Sequence, residues 1–292
     1  MKKILITGAG SYIGTAFERY LAQWSEQYAV DTLDMIGDAW RQADFSGYDV
    51  VFHVAGIAHS DNGKISAEKE KLYYAVNTDL TVATAEKAKE AGVGQFIFMS
   101  SAIVYGDSAP IGKTKMIDRD TPVSPANCYG DSKVQAENGI LPLADDTFKV
   151  VVLRPPMIYG PGSKGNYPVL SKLARKLPLF PKVANRRSML YIDHLTEFVR
   201  LMIENEEQGV FWPQNDTYSN TTELVRTIAA AHGKKIVVIP GTTWALKLLS
   251  HVTGLVNKAF GSLCYEQSIS TYTEPYCHKT LEESIRITEG TV

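Results

Sequence analysis

Apolar residues in the first half of the chain gather in short unbroken runs, separated by stretches with a helical period. Lys3-Ile4-Leu5-Ile6-Thr7, Tyr28 to Leu33, Asp49 to Ala55, Gln95 to Ser101 and Lys149 to Arg154 show no alternation of apolar and polar positions. Strands covered on both faces read this way, because neither side of the pleat meets water. Between them, Phe17, Tyr20, Leu21 and Trp24 recur at i, i+3, i+4 and i+7, the stripe of an amphipathic helix. A second helix is expected from about Asn77 to Ala91, carrying Leu80, Ala83 and Ala88 and closed by Gly92; a third runs from Tyr129 to about Ile140. Strands alternating with helices predict an α/β fold, a doubly wound parallel sheet with at least five β-α units.

Beyond Arg154 the pattern changes. Pro155, Pro156, Gly160, Pro161 and Gly162 break any regular element. Short helices are expected over 169–177 and 195–204, with a strand at Gly209-Val210-Phe211-Trp212 between them and the next helix. Asn220 is placed to cap that helix, with Glu223 at its third position and Gly233 ending it. A helix over 244–256 follows, whose Trp and Leu side chains are expected in a core. The reading is a larger domain over 1–160, to which 189–218 returns, and a smaller C-terminal α/β domain of 161–188 and 219–292.

The chain of 292 residues is 45% hydrophobic and 21% charged, ordinary for a globular protein. Its net charge of −2 carries no footprint for nucleic acid or an anionic membrane, so neither is expected as a partner. Cys128, Cys264 and Cys277 are odd in number and irregularly spaced, which argues against a disulfide framework or a zinc site. His53, His59 and Asp193 have no metal-ligand spacing, and no metal is expected. The Ile4-Leu5-Ile6 run is too short for a signal peptide, and no later run could span a bilayer; the chain reads as cytoplasmic.

Two patterns carry chemistry. Gly8, Gly10 and Gly14 stand between the first strand and first helix, where a dinucleotide fold seats its pyrophosphate on the helix N-terminus. Asp34 ends the second strand about twenty residues later, where a carboxylate accepts from ribose hydroxyls and repels a 2′-phosphate, pointing to NAD rather than NADP. Asp44 and Phe45 are placed to border the adenine, and Ala55-Gly56-Ile57 is small enough for the cofactor to pass. Tyr129 and Lys133, four apart, share one helix face. A phenol titrates near ~10 and is a poor base at neutrality, but a cation beside it favours the phenolate. Such a pair can take a proton from a sugar or alcohol hydroxyl, or return one to a carbonyl oxygen. In the second half, Asn185-Arg186-Arg187-Ser188 is the chief basic cluster, able to clamp a diphosphate.

Thr7-Gly8-Ala9-Gly10-Ser11-Tyr12-Ile13-Gly14, Val54-Ala55-Gly56, Asn77, Ser100-Ser101 ahead of Val104-Tyr105-Gly106, Tyr129-x-x-x-Lys133 and Arg154-Pro155-Pro156 together resemble the extended short-chain dehydrogenase/reductases. More narrowly, they resemble the NAD-dependent epimerase/dehydratase family acting on nucleotide sugars, from the start to about Glu207. The resemblance implies a Rossmann fold, bound NAD and a Ser101, Tyr129, Lys133 triad. Cofactor contacts are then implied at Gly8, Gly10, Ser11, Tyr12, Ile13, Gly14, Asn77, Ser100 and Pro156. It also implies a UDP-sugar partner touched by Tyr159, Asn166, Arg186 and Arg187, and a homodimer. Ser11 departs from the family's middle glycine, so a slightly different phosphate turn is expected. Ala102-Ile103 replace the acidic pair of dehydratases, which leaves 4-epimerisation and 4-keto reduction. A retained NAD favours the epimerase; the Asn185 to Ser188 run also resembles reductases of UDP-4-keto-6-deoxy-N-acetylhexosamines. A non-catalytic NAD(P) sensor is the third reading, disfavoured by the Tyr129/Lys133 pair.

Overall fold

The computed structural model describes residues 1–58, 65–252 and 259–291. His59 therefore lies outside the described residues. The chain forms two compact units. The first comprises residues 1–106, 122–155 and 195–213; the second comprises 107–121, 156–194 and 214–292.

The first unit is built on a parallel sheet of six strands: β1 (Lys2–Thr7), β2 (Tyr28–Leu33), β3 (Val50–His53), β4 (Gln95–Met99), β6 (Lys149–Leu153) and β10 (Gly209–Phe211). They lie in the order β10-β6-β4-β3-β1-β2. Every residue of β4 and four of five in β6 are buried, as their unbroken apolar runs require. Strand order reverses between β1 and β3, whose registers pair Ile4 with Val50 and Thr7 with His53. The loops leaving the C-terminal ends of these two strands flank the crevice where open α/β sheets take ligands.

Helix α1 (Tyr12–Leu21) packs Phe17 edge-on to Phe52. The expected helix from Asn77 starts ten residues earlier. An α-helix, α2 (Ala67–Tyr73), runs through a π-helical turn (Tyr74–Asp79) into α3 (Leu80–Glu90). The π turn is stabilised by side chains the periodicity could not reveal: Tyr74 donates to Asp131 Oδ2 at 2.9 Å and Thr78 to the Ser132 carbonyl at 2.7 Å. Helix α4 (Cys128–Ile140) is capped by Asn127, whose side chain accepts from Gly130 N–H at 2.9 Å. A Cβ on Gly139 would come 2.5 Å from Val82, and one on Gly130 would lie 2.8 Å from the Ile103 carbonyl oxygen. Glycines thus let α4 lie close to α3 and to the turn after β4.

The second unit holds three two-stranded parallel pairs: β7 (Met157–Tyr159) with β9 (Met189–Tyr191), β8 (Leu179–Pro181) with β11 (Val237–Ile239), and β5 (Lys115–Ile117) with β12 (Leu263–Tyr265). The last pair is why residues 107–121 cluster here, although the sequence placed them in the first domain. Helices α5 (Asn166–Lys176), α7 (Thr221–Ala231) and α8 (Thr243–Val252) are also present; 253–258, the rest of the expected 244–256 helix, lie outside the described residues. Asn220 caps α7 as expected, accepting from Thr222 and Glu223 N–H groups at 2.9 and 3.2 Å. On α8 the expectation of a core fails. Leu246 packs against Ile111 and Val183, but Trp244 is 71% exposed and Leu248 65%. One helical face is covered and the other is not.

Replacing Gly130 by Ala forces α4 away from the Ile103 carbonyl. We expect a loss of about 1–3 kcal/mol, read as a lower urea midpoint with an unchanged slope.

Candidate active site

The glycine turn follows directly from β1. Gly8 and Ala9 N–H groups both donate to the Leu33 carbonyl at 2.8 and 3.1 Å, which brings the turn beside Asp34. Gly8 has φ +113°, and a Cβ there would lie 2.8 Å from Ala55 N, so this position needs glycine twice over. Gly14 lets α1 lie close to β1 and the loop after β3, since its Cβ would stand 3.1 Å from Ile6 and 3.2 Å from Val54. Ser11, the departure from the usual glycine, caps α1: its Oγ accepts from Gly14 N–H at 3.1 Å, with an ordinary φ of −68°. One helix N-terminal donor is thereby occupied, which is the change to the phosphate turn. Asp34 is exposed at the end of β2 and accepts from Ile36 N–H at 3.0 Å.

Asn77 is fully buried and grips the loop after β3. Its Oδ1 accepts from Ile57 N–H at 2.9 Å, while its Nδ2 donates to the Ile57 carbonyl and to Ser132 Oγ, both at 3.1 Å. It therefore ties Ala55-Gly56-Ile57 to α4. A Cβ on Gly56 would stand 3.1 Å from Asn77 Oδ1 and 3.3 Å from Lys133 Nζ. The missing side chain leaves a slot beside the ammonium. Glycine turn, helix N-terminus, carboxylate and slot all line the crevice at the strand-order reversal, and this set fits a dinucleotide.

Asp44 and Phe45 stand at a tight turn ahead of β3. Asp44 closes a turn on Ser46, accepting from its N–H and hydroxyl at 2.8 Å each, which holds its carboxyl below the usual range. Phe45 is buried in the core with Leu5 and Val51.

Ser101 follows β4 and Tyr129 opens α4, and the Ser101 hydroxyl accepts from Ile103 N–H at 3.3 Å. Burial raises the Tyr129 phenol, the nearby Ser101 hydroxyl opposes the rise and Tyr73, with ring centroids 5.9 Å apart, adds to it. The expected lowering by Lys133 is thus not seen. The ammonium is engaged elsewhere: Nζ donates to the Met99 carbonyl at 2.9 Å and sits 4.6 Å over the Phe98 ring. Burial pushes Lys133 down to about 8, with Glu137 acting against it.

Glu137, one turn beyond Lys133, is the residue the sequence reading missed. Its buried carboxylate takes a forked bond from Arg154 (Nε at 3.2 Å to both oxygens, a terminal nitrogen at 2.5 Å) and one from Ser100 Oγ. Arg154 also donates to Tyr105 OH at 2.7 Å, as does Trp212 Nε1 at 2.7 Å. Ser100 therefore serves the scaffold through this network. The signal was present as a carboxylate four residues after Lys133, but only the fold brings Arg154 to it. His53 is caged, neutral and buried: Nδ1 meets Thr7 Oγ1 at 2.7 Å, Nε2 meets Thr81 Oγ1 at 3.1 Å, and burial pulls it down to about 3.

A family model described as the NAD-dependent epimerase/dehydratase family matches residues 4–212. The chain belongs to that family. NAD is the cofactor its description names. A UDP-glucose 4-epimerase of Vibrio cholerae is 32% identical over 286 residues, covering 90% of this chain and 86% of that protein. The N-acetyl-α-D-glucosaminyl-diphospho-ditrans,octacis-undecaprenol 4-epimerase of Escherichia coli O157:H7 is 28% identical over 80% of this chain and 73% of its own. The UDP-glucuronic acid 4-epimerase of Bacillus cereus, solved with NAD, superposes with TM-score 0.72 at 17% identity, covering 99% of this chain and 96% of its own.

In this family member the remaining expected site residues lie in the second unit. Pro156 and Tyr159 are buried. Tyr159 does not line a pocket: its hydroxyl is taken by Ser284 Oγ at 2.6 Å and Asn215 Nδ2 at 3.1 Å, and burial pushes it up to about 12. Asn166 is exposed at the start of α5. Arg186 is exposed, with its guanidinium 5.0 Å over the Tyr218 ring, and borders a cleft of about 580 Å³ with Thr114, Asn185 and Asn220. Arg187 turns inward and donates to the Ala259 carbonyl at 3.0 Å, where burial lowers its pKa. Asn185 pins this loop, exchanging bonds with Thr221 at 2.8 and 2.9 Å. Among the described residues no helix is long and apolar enough to cross a membrane, and no three His, Cys, Asp or Glu are grouped to hold a metal ion.

Removing one partner of the buried pair leaves a desolvated charge. We expect Glu137→Ala to cost about 3–5 kcal/mol, and Glu137→Ala with Arg154→Met to recover much of it, both read by urea unfolding. Lys133 loses its proton near 8 in the fold but at its ordinary 10.5 when unfolded. The unfolded chain then holds more protons between those pH values, so this lysine's contribution to stability rises with pH across that window. Wild type should gain on Lys133→Met in stability between these two pH values; an unchanged difference contradicts the assignment.

Proposed function

We propose that the protein is a UDP-sugar 4-epimerase that retains its NAD. The observation that carries this reading is that Lys133 Nζ lies beside the slot at Gly56 on the same helix as Tyr129, with Ser101 near the phenol, in the unit that holds the glycine turn. Its support from relatives is that both curated matches described above are named 4-epimerases. Asp34, exposed beside the turn, favours NAD over the 2′-phosphorylated form.

Bound NAD supplies a two-electron acceptor and donor at the sugar C4. With sugar bound, Tyr129 would take the O4 proton on oxidation at C4 and give it back on reduction, so that no cofactor is consumed overall. Ser101 would hydrogen-bond the same oxygen. Lys133, beside the Gly56 slot, would hold the ribose of the cofactor. The phenol is raised by burial in the structure as it stands; a positively charged nicotinamide ring beside it would favour the phenolate by the same Coulomb term that any nearby cation exerts. In the second unit, Arg186 is the better placed of the two arginines for the diphosphate, because Arg187 already donates to Ala259.

Incubation of purified protein with UDP-glucose or UDP-N-acetylglucosamine should yield the 4-epimer without added reductant. Absence of interconversion, with NADH or NADPH oxidised on a 4-keto sugar, would identify a reductase instead. The undecaprenyl-diphosphate-linked sugar named for the E. coli relative tests the carrier. Tyr129→Phe should lower turnover by about 10²–10⁴-fold while NAD still copurifies; a sensor would be indifferent to it. Turnover should fall as pH rises through about 8, where Lys133 loses its proton, and Lys133→Arg should move that limb upward.

A further inference from the structure

The modest net charge conceals an uneven distribution. By sequence the second unit carries seventeen lysines and arginines against eleven aspartates and glutamates, the first thirteen against twenty-one. Two long runs contain no acidic residue: Asp146 is followed next by Asp193, and Glu223 by Glu266. Seven of the twelve exposed large apolar side chains among the described residues fall within these same runs: Val169, Leu177, Leu179, Val237, Ile239, Trp244 and Leu248.

All but Val169 lie at the end of α5, on the paired strands β8 and β11, or on the helix that follows β11 directly. The β8–β11 register pairs Leu179 with Val237 and Pro181 with Ile239, and paired residues of a parallel ladder share a face. Val237 N–H donates to the Pro178 carbonyl at 2.9 Å, and Lys234 Nζ donates to the Arg175 carbonyl, so the end of α5 and the approach to β11 lie side by side. Helix α8 begins four residues after Ile239, and Trp244 and Leu248, spaced i and i+4, share its outer face. Exposed Arg175, Lys176, Lys234, Lys235 and Lys247 are interspersed with these apolar residues.

We propose that this face of the second unit docks on an anionic lipid bilayer, with Trp244 and Leu248 entering the headgroup region and the lysines and arginines meeting lipid phosphates. A shallow apolar face rich in Lys and Arg and bearing a Trp is the chemistry of an interfacial binder. A second copy of the chain is disfavoured, because a symmetric contact would oppose two like-charged faces. Net charge alone excludes a membrane only when charge is evenly spread, and here it is not.

The test is co-sedimentation of the full chain with phosphatidylcholine vesicles, with and without phosphatidylglycerol, at low and high salt. Binding should require phosphatidylglycerol, weaken with salt, and fall about tenfold or more in Trp244→Ser/Leu248→Ser and in Lys234→Glu/Lys235→Glu. All four side chains are exposed, and an unchanged thermal midpoint verifies folding. No sedimentation with anionic vesicles at low salt overturns the proposal, as does binding that ignores both double variants. A wild-type dimer that Trp244→Ser/Leu248→Ser converts to monomer, without vesicle binding, assigns the face to a second copy. Vesicle binding needs no sugar turnover, so its failure leaves the epimerase reading untouched, and the reverse also holds.

Discussion

The first unit is organised around one buried carboxylate. Glu137 on α4 holds Arg154 at the end of β6 and Ser100 at the end of β4, so helix and sheet meet at a single charged knot. A buried ion pair is weak evidence of stability, because desolvation of both ions offsets their attraction. Its geometry instead sets register. Lys133 is one turn from Glu137 and Tyr129 two turns away, and the rotation of α4 that satisfies Arg154 also sends Lys133 Nζ to the Met99 carbonyl and Tyr129 to Ser101. Asn77 and Ser132 fasten the opposite side of α4 to the loop after β3. Tyr129 and Lys133 are thus held by bonds from other parts of α4 to its neighbours.

Burial sets the electrostatics of this site more than charge pairing does. It raises Tyr129, lowers Lys133 to about 8 and drives His53 to about 3. A raised phenol keeps its proton at neutral pH, so Tyr129 is neutral in the structure as it stands. The π turn at Tyr74–Asp79 is the local irregularity that places Asn77 against Ile57, in keeping with the frequency of such turns near functional sites.

The two units differ in how their surfaces are composed. The first is acidic and well filled, with β4 wholly buried. The second is basic and built from three short ribbons that cannot cover every apolar residue they carry. A two-stranded ribbon has two faces and a small unit has little to lay across both. The exposed faces of β8–β11 and α8 are the result.

The unbroken apolar runs were enough to announce a parallel sheet, because a strand wetted on neither face must be apolar on both. The glycine turn, the Tyr129/Lys133 spacing and Asn220 as a cap were equally legible, since each depends on residues a few positions apart. What the sequence could not determine were matters of burial and of distant partners. Tyr159 looks like a pocket residue until packing encloses it. Trp244 and Leu248 look like core until the fold leaves them exposed while Leu246 packs against Ile111 and Val183. Glu137 and Arg154 lie seventeen residues apart and become one structure only when α4 lies across β4 and β6. Short-range geometry is written into the chain by stereochemistry, but solvent exposure and long-range pairing exist only once the whole surface has closed.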